Sequence, residues 1–591
     1  MEKLGAGVYR LRLGQPEELT PVRYKEYPMK EVGGDYPFPF SEASVEWKPT
    51  SRGLLVSLPL EGQVFGFGLQ LKGFNHTRQR RVMRNNADAP SDSGESHAPV
   101  PFYVTTAGYG VYVDSAREIA FHCGQAKDKG ESRGKGAVSL CNLLTAQEEY
   151  DRYVRSDSPR MVIDVPIAKG VDLYVFAGSS LREAVQKYNM FSGGGANPPA
   201  WGLGAWYRMY HAARAEQWVG LAKRFKEEDI PVSVIGLEPG CYTQAYSCSY
   251  LYDEERIGDA HTAIEELREM GYRVNLWQHG YTHPDAPIYD KLLPYSGDFE
   301  VWGGLVPDLS LPEARDIFAE QMTALGVDCF KLDECDGSDH TGGWSFPDGA
   351  SFPSGLDGEQ MHHLMGMLYQ QTVNHAFPGA YHSVRASGAL AAPYPFVLYS
   401  DLYEHKDFVR GVVNAGFSGL LWAPEVRHAE NGKDLIRRLQ TALFSPQMLV
   451  NAWYLPNPPW DQIDRALNEQ GVRMEDAETM AQTVRELFRM RQKMIPYLQT
   501  QFRRYQEEGI PVFRALVMDY PRDQETWAID DAYLVGDRYL FAPLTAEENE
   551  RRVYLPGGRW TRGDKCYEPG WHTLQASIEE YLLFEKEESP C

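Results

Sequence analysis

Two aspartates, Asp333 and Asp401, each follow a short apolar run that is typical of a buried strand. The first run begins at Val327 and the second at Pro395. In a barrel of parallel strands the catalytic groups lie at the carboxyl ends of the strands, so both side chains should face one cleft. Retaining cleavage of a glycosidic bond needs two carboxyl groups about 5 to 5.5 Å apart. The pattern predicts Asp333 as a nucleophile and Asp401 as a general acid/base.

Two cations accompany these acids. Lys331 stands two residues before Asp333, so its side chain points to the same face of the strand. Its ammonium group favours an ionised Asp333, as a nucleophile requires. Arg385 ends the strand before Asp401, where it can bind sugar hydroxyls or influence that carboxyl group. The four residues together argue against a degenerate site that only binds its ligand.

Other interpretations of these residues stay open. An aspartate at a strand end is often a helix cap or a turn residue. The cluster from Asp333 to His340 is also compatible with a metal site, but its spacing does not fit a calcium loop, and adjacent acids on a strand point to opposite faces. We therefore expect no metal. Ser387 and Ser418 each precede a glycine, but neither lies in the GxSxG elbow of a serine nucleophile.

The elements that must position these residues alternate between apolar runs and amphipathic helices. Eight candidate strands occupy the middle of the chain, at residues 202–207, 231–238, 272–277, 327–333, 380–384, 396–401, 417–422 and 448–453. Helices are predicted at residues 215–228, 260–270, 312–324 and 358–374. Eight β/α units over roughly 300 residues predict an α/β fold, a (β/α)8 barrel with loop insertions.

Segments rich in β-strand signals flank the predicted barrel. Residues 1 to about 190 alternate apolar and polar positions with period two, which predicts an all-β, antiparallel N-terminal sandwich. A glycine- and proline-rich stretch, Gly193–Pro199, indicates a boundary. A long helix at residues 477–509 follows the barrel, and strands at residues 511–517, 538–543 and 552–556 predict a smaller C-terminal β-sandwich. We expect domains at residues 1–195, 196–500 and 501–591.

Composition limits the ligands and the location. The 591-residue chain carries a net charge of −23. This charge argues against nucleic acid and anionic membrane surfaces, and it suits a neutral ligand. Neither an apolar run of about 18 residues nor an apolar leader is visible, so we expect a cytoplasmic protein without a membrane span. The eight cysteines form no CxxC pair and are expected to be reduced. The sequence leaves a homo-oligomer open.

Several motifs, in their order along the chain, resemble those of glycoside hydrolase family 31. Phe330–Asp333 is similar to the strand that carries the family's nucleophile, and Tyr399–Asp401 is similar to its acid/base segment. Further matching stretches are Arg385–Gly388, Asp407–Arg410, Gly416–Gly419, Arg437–Gln440, Ser445–Pro446, Ile495–Leu498 and Val553–Trp560. The resemblance implies a barrel between two β-sandwiches, retaining exo-α-glycosidase activity on a small oligosaccharide or glycoside, and no cofactor.

Three departures from the family pattern bear on the sugar. Glu238 and Glu425 stand where the family usually has Asp, and Asn451 stands in place of a sugar-binding His. A site built around one arrangement of hydroxyls rejects another when polar groups are left unpaired. The resemblance therefore leaves α-glucosidase, α-galactosidase and α-xylosidase activity open. Lys331 is similar to the residue of the α-xylosidase-like and α-galactosidase-like branches.

Tryptophans close three predicted strands and are candidates for sugar-stacking walls: Trp277, Trp422 and Trp453. Core packing at the mouth of the barrel is an equal alternative for each of them.

Two functions also remain beside hydrolysis. A transglycosidase would use the same residues and differ only in its acceptor, whereas an inactive carbohydrate-binding protein would use the same scaffold without turnover.

Overall fold

The structure is a computed structural model that describes residues 1–125 and 159–587, apart from positions 88, 90, 336, 338–343, 402–403, 424, 456–457 and 459–476. Four members of the cluster that runs from Asp333 to His340 lie outside the described residues, namely Asp336, Ser338, Asp339 and His340. Within the described part, no group of three or more His, Cys, Asp or Glu side chains is placed to hold a metal ion. None of the described helices combines the length and the apolar character that a membrane crossing requires.

Eight parallel strands form the barrel that carries the candidate site. They are called the first to the eighth barrel strand and comprise Ala205–Arg208, Val234–Leu237, Arg273–His279, Cys329–Asp333, His382–Val384, Phe396–Leu398, Glu425–Val426 and Met448–Asn451. Around the sheet their order is sixth, fifth, fourth, third, second, first, eighth and seventh. A parallel bridge between Leu398 and Trp422 joins the sixth strand to the segment before the seventh. The predicted (β/α)8 barrel is therefore confirmed.

The prediction of a strand at residues 417–422 is wrong. Gly416–Ser418 form a 3-10 helix, and Gly419 follows in the left-handed region with a φ of 72°. Phe417 stacks on Phe65 of the N-terminal sandwich, with 5.3 Å between the ring centroids. The apolar run thus buries an interface with the neighbouring sheets, and the seventh strand comes later and is two residues long.

Helices lie between the barrel strands and pack on their outer side. They comprise Ala215–Glu227, Glu254–Ile257, Ala260–Glu269, Tyr289–Leu292, Pro312–Ala324, Gly358–Ala376, His405–Ala415 and Gly432–Leu443. The four predicted barrel helices all form, and the long helix after the barrel comprises Ala477–Glu508. A hairpin of Ser296–Val301 and Gly304–Pro307 extends the loop after the third strand. Hydrophobic periodicity therefore located the helices well, because their apolar faces cover the sheet.

Two antiparallel sheets form the N-terminal sandwich. The six-stranded sheet comprises Glu2–Gly5, Val8–Gln15, Lys169–Ala177, Tyr109–Asp114, Pro99–Thr105 and Val64–Gly68, in this spatial order. The five-stranded sheet comprises Glu46–Pro49, Gly53–Pro59, Arg160–Pro166, Ile119–Cys123 and Arg80–Met83. Alternate side chains of both sheets are buried between them in a separate apolar cluster. This arrangement confirms the predicted sandwich.

The expectation that residues up to about 190 are all β is wrong at its end, where Leu181–Ser192 form a helix. Ser180 Oγ accepts a hydrogen bond from the backbone N–H of Glu183, and Gly193 ends the helix with a φ of 118°. A serine cap and a glycine in the left-handed region are ordinary signals of a helix start and end. The helix packs on the six-stranded sheet, where Tyr188 stacks on Phe102.

Two further sheets form the C-terminal sandwich. The larger comprises Phe513–Ala515, Tyr533–Val535, Tyr539–Phe541, Leu583–Lys586, Trp560–Arg562 and Lys565–Tyr567, and the smaller comprises Glu550–Leu555 and Gly570–Gln575. Their buried side chains form a common core. The strand predicted at residues 511–517 is shorter than expected, because Leu516–Asp519 turn into a helix. The six cysteines that the structure describes form no disulfide bonds with one another.

Candidate active site

Asp333 ends the fourth barrel strand, and three donors fix the orientation of its carboxylate. The hydroxyl of Tyr399 donates to Oδ1 at 2.6 Å, and Nε1 of Trp277 donates to Oδ2 at 2.5 Å. The backbone N–H of Glu334 also donates to Oδ1, at 3.1 Å. Glu334 has a φ of 53°, a left-handed conformation that is uncommon outside glycine. Such backbone strain is often found at functional sites.

The charges around Asp333 favour its ionised form. Burial by itself raises the pKa of this carboxyl group, but the charges of Lys331 and Arg385 lower it. The hydrogen bonds from Tyr399 and Trp277 lower it further, and the pKa of Asp333 lies well below its ordinary value. Burial and then the charge of Asp333 raise the pKa of Tyr399, so this hydroxyl stays a neutral donor. The buried carboxylate is therefore charged and held, as a nucleophile must be.

Asp401 lies just beyond the sixth barrel strand and is more open than Asp333. Its side chain is 35% exposed, whereas that of Asp333 is 8% exposed. Nη1 of Arg385 donates to Oδ2 of Asp401 at 2.8 Å, and Arg427 pairs with Oδ1. The same nitrogen of Arg385 lies 3.7 Å from Oδ1 of Asp333. One guanidinium group therefore joins the two carboxylates that the sequence singled out.

Three predicted sugar-binding residues form one buried network with two cations. Nδ2 of Asn451 donates to Oε1 of Glu238 at 3.0 Å and to Oε1 of Glu425 at 2.8 Å. Arg208 lies 3.4 Å from Glu425 and 3.9 Å from Glu238. Nζ of Lys331 lies 3.5 Å from both oxygens of Glu238. Two acids and two bases thus balance in a group of fully buried side chains, as buried charges generally must.

Lys331 connects this network to Asp333. Its ammonium group lies over the ring of Tyr399, 4.7 Å from the centroid, and also pairs with Glu238. The ring of Tyr399 in turn carries the hydroxyl that donates to Asp333. The charge state of Asp333 and the geometry of Glu238 are therefore coupled through one buried cation.

Two of the three tryptophans that were predicted to stack on a sugar are too buried to contact a ligand with a ring face. Trp277 and Trp422 are each 1% exposed. Trp277 acts on Asp333 through its indole nitrogen, whereas Nε1 of Trp422 donates to the carbonyl of Phe408 at 3.0 Å. Trp422 therefore packs in the barrel wall, and the structure gives it no contact with either carboxylate.

Exposed aromatic rings lie on two sides of the carboxylates. On one side Tyr246, which is 46% exposed, contacts Trp277, Trp302 and His279 at centroid distances of 5.4, 5.5 and 5.7 Å. Burial, then the charge of Asp333, raise the pKa of Tyr246. Trp302 comes from the turn of the hairpin after the third strand. These rings offer flat apolar surfaces of the kind on which sugars stack.

The second aromatic group follows the first and eighth strands. The ring of His211 lies 4.4 Å from that of Tyr210 and 4.7 Å from that of Trp453. Tyr210 is 39% exposed, and Tyr454 is 51% exposed. The guanidinium carbon of Arg427 lies 5.0 Å from the ring centroid of Trp453. Trp453 is therefore the predicted wall residue that does border the site.

The N-terminal sandwich supplies part of the wall beside Asp401. Nε2 of His97 hydrogen bonds to the hydroxyl of Ser400 at 2.8 Å, and the carbonyl of His97 accepts from the backbone N–H of Ser387 at 3.3 Å. Asn85 donates to the backbone carbonyl of His362. The segment that carries these residues thus packs against the carboxyl ends of the barrel strands.

Five residues of the site were not predicted from the sequence: Arg208, Tyr246, Trp302, Tyr399 and Arg427. Arg208 ends the first strand and pairs in register with Asn451, so its strand-end position was a usable signal. Tyr399 stands two residues before Asp401, and this spacing was a second usable signal. Tyr246 and Trp302 lie in insertions whose path depends on long-range packing, and no local pattern marks them.

Family models match most of the chain. Residues 195–501, more than half of it, match the TIM-barrel domain of the glycosyl hydrolases family 31. Residues 509–589 match the C-terminal domain of that family, and residues 16–121 match its N-terminal galactose mutarotase-like domain. The chain therefore belongs to glycosyl hydrolase family 31, which confirms the resemblance of its motifs.

Curated relatives of the chain carry different activities in their names. Alpha-glucosidase 2 of Bacillus thermoamyloliquefaciens is 25% identical over 89% of this chain and 66% of that protein. Alpha-xylosidase XylQ of Lactiplantibacillus pentosus is 22% identical over 86% of this chain and 64% of that protein. The chain thus spans about two thirds of the length of these relatives.

Solved structures share the fold. The GH31 dextranase of Flavobacterium johnsoniae, complexed with glucose, has a TM-score of 0.75 at 19% identity, over 93% of this chain and 68% of that chain. The cycloalternan-degrading enzyme of Trueperella pyogenes, in complex with a covalent intermediate, has a TM-score of 0.76 at 19% identity, over 98% of this chain and 83% of that chain. At this identity the likeness concerns the fold alone.

Proposed function

We propose that the chain is a retaining exo-α-glycosidase in which Asp333 is the nucleophile and Asp401 is the general acid/base. One observation carries the proposal: Nη1 of Arg385 lies 3.7 Å from Oδ1 of Asp333 and 2.8 Å from Oδ2 of Asp401. These two oxygens can be no further apart than the sum of the two distances. That upper bound coincides with the lower limit, about 6.5 Å, for inverting enzymes, so the two oxygens lie no further apart than the short end of the inverting range, and the retaining separation of about 5 to 5.5 Å is allowed.

The two steps assign a separate task to each carboxyl group. In the first, Asp333 attacks the anomeric carbon while the glycosidic C–O bond breaks, and the leaving oxygen takes the proton of Asp401. In the second, a water oxygen attacks the anomeric carbon while the bond to Asp333 breaks, and Asp401 takes a proton from that water. The buried, charged state of Asp333 and the open position of Asp401 suit these tasks.

The substrate that we propose is a neutral, terminal α-linked sugar of a small oligosaccharide or glycoside. The buried acids Glu238 and Glu425 are balanced by Arg208 and Lys331, so the network leaves no net charge for an ionic sugar. The exposed rings beside the carboxylates are suited to sugar faces. The α-glucosidase and α-xylosidase names of the curated relatives support the same class.

The decisive assay uses a panel of p-nitrophenyl α-glycosides with gluco, galacto, xylo, N-acetylgalactosamino and sulfoquinovo configurations. Asp333→Ala should abolish turnover of whichever substrate the native chain cleaves. Asp401→Ala should spare activated aryl leaving groups relative to poor ones, because only poor ones need a proton. The matched control is Asp316→Ala, which removes an exposed aspartate from helix 312–324 and should retain full activity.

Two results would overturn the assignment. Turnover by Asp333→Ala above a small fraction of the native rate would exclude Asp333 as the nucleophile. Equal losses by Asp401→Ala on good and poor leaving groups would exclude the acid role. A chain that forms no covalent adduct with a cyclophellitol-type probe of any configuration would instead be a carbohydrate-binding protein. Analysis of products in the presence of sugar acceptors separates hydrolysis from transglycosylation.

A further inference from the structure

Arg427 places a second cation beside Asp401, and in the described part of the chain it does so without pairing with Asp333. It pairs with Oδ1 of Asp401, while Arg385 donates to Oδ2. Arg385 also lies 3.7 Å from both Asp333 and Glu334, so its charge is shared among three carboxylates. The charge of Arg427 is directed at Asp401, the one carboxylate with which it pairs in the described part of the chain.

Aromatic rings hold the Arg427 side chain in place. Its guanidinium carbon lies 5.0 Å from the ring centroid of Trp453 and 5.6 Å from that of Tyr454. A guanidinium group over an aromatic face is attracted by the ring, and the attraction is stronger where the group is desolvated. The side chain is 9% exposed, and Trp453 is itself anchored by its backbone N–H, which donates to Asn451 at 2.9 Å. Arg427 is therefore a fixed charge rather than a mobile surface residue.

The proposed reaction makes opposite demands on Asp401. It must carry a proton when the glycosidic bond breaks and must be a carboxylate when water attacks the intermediate. A neighbouring cation favours the carboxylate, so it assists the second step and opposes the first. Because both oxygens of Asp401 face guanidinium groups, the proton that the leaving oxygen receives has to be carried beside a cation.

We propose that Arg427 is a positioning residue that orients Asp401 and favours its action as the base of the second step. The proposal rests on the proposed function, since it requires Asp401 to be the acid/base. It predicts that the first step is slow with poor leaving groups, and that the second step depends on the charge at position 427.

Other charged or titratable groups near Asp401 have to be separated from this effect. In the described part of the chain they are Arg385, which contacts Asp401 directly, and Asp333 and Glu334, which contact Arg385. His97 also lies close, because it hydrogen bonds to Ser400, the neighbour of Asp401 in the chain. All of these groups remain in place in an Arg427 variant, so a difference from the native chain reports on Arg427.

The test compares Arg427→Met, which keeps the aliphatic contact with Trp453 but removes the charge, with Arg427→Lys, which keeps a charge. The substrates are 2,4-dinitrophenyl and p-nitrophenyl α-glycosides of the configuration that the native chain cleaves. The apparent pKa of the alkaline limb of kcat/KM should rise by about one pH unit in Arg427→Met. A carboxyl group beside a cation loses its proton more readily, so removal of the cation makes Asp401 hold its proton to a higher pH. With the dinitrophenyl substrate, kcat and KM should both fall at least tenfold as the covalent intermediate accumulates. Arg427→Lys should recover most of both effects.

The matched control is Arg489→Met, which removes an equal charge from an arginine that pairs with the exposed Asp229. It should leave the pH profile and the KM unchanged. An Arg427→Met variant that is folded by circular dichroism but shows no movement of the alkaline limb and no parallel fall of kcat and KM would overturn the proposal, and Arg427 would then serve packing alone. The leaving-group test of Asp401→Ala checks the proposed function separately. If Asp401→Ala passes that test and Arg427→Met has no effect, only the role of Arg427 is overturned. If Asp401→Ala fails, the proposed function is overturned too.

Discussion

Asn451 is the residue whose replacement tests the buried network most directly. Its single amide nitrogen donates to Glu238 at 3.0 Å and to Glu425 at 2.8 Å. Asn451→Asp keeps the shape of the side chain, but it replaces a donor by a third carboxyl group. Hydrogen bonds to charged groups contribute about 1.5 to 3 kcal/mol each, so the loss of two should lower the free energy of unfolding by about 3 kcal/mol or more at neutral pH.

The loss should depend on pH in a defined direction. The new carboxyl group would lie beside two carboxylates, so its pKa in the folded protein should be raised above the unfolded value of about 3.9. A group of this kind is tolerated in its protonated form below the unfolded pKa, and stability is lost as the pH rises through the folded pKa. The defect should therefore be smaller at pH 5, where the protonated carboxyl group can still donate one hydrogen bond, and largest at pH 8.

Thermal unfolding followed by circular dichroism at pH 5, 6, 7 and 8 measures this defect. A chain of several domains need not unfold in one step, so the quantity to compare is the shift of each transition between variants. The matched control is Asn197→Asp, which introduces the same charge at an exposed asparagine that donates to Gln506. A defect of Asn451→Asp that is no larger than that of the control, or that is constant from pH 5 to pH 8, would refute the charged network.

Three further variants test the contacts of Asp333, the proposed nucleophile, and the separate role of Trp422. Lys331→Met removes the strongest of the contacts that lower the pKa of Asp333. The apparent pKa of the acid limb of kcat/KM should therefore rise by about 1 to 3 pH units. The stability that ionised Asp333 contributes should correspondingly be lost at a higher pH than in the native chain, since a lowered folded pKa protects a carboxylate until the pH falls through it. Trp277→Phe should lower kcat/KM at least tenfold through the lost bond to Asp333, a charged hydrogen bond of about 1.5 to 3 kcal/mol. Trp422→Phe, which loses its bond to Phe408, should lower the melting temperature and leave kcat/KM within about threefold. An equal effect of both tryptophan variants on kcat/KM would contradict their separate roles.

The fold was largely predictable because the barrel repeats one local pattern. Apolar runs and amphipathic helices alternate through the middle of the chain, and each helix buries one face on the sheet. One failure occurred where an apolar run served another purpose. Phe417 packs on Phe65 of a different domain, so the run around it is as apolar as a strand without forming one. Helix Leu181–Ser192 was missed although its serine cap and terminal glycine were present in the sequence.

The site was predictable to the extent that it consists of strand ends. Lys331, Asp333 and Arg385 each stand at or near the end of a barrel strand, and parallel strands bring such residues to one edge. Contacts made by loops could not be predicted, because the sequence does not show where a loop returns. Arg427 follows the shortest strand of the barrel, and only the structure places it on Asp401.

The three departures from the family pattern are one coupled change rather than three separate ones. A comparison position by position would assign Glu238, Glu425 and Asn451 to separate sugar contacts. In the structure, Asn451 joins the two glutamates, and Arg208 lies within 4 Å of both. Residues that share hydrogen bonds and charges do not contribute additively. We therefore expect the choice of sugar to be a property of the whole network, and a return to the usual family residue at one position should leave a buried partner unpaired before it changes the specificity.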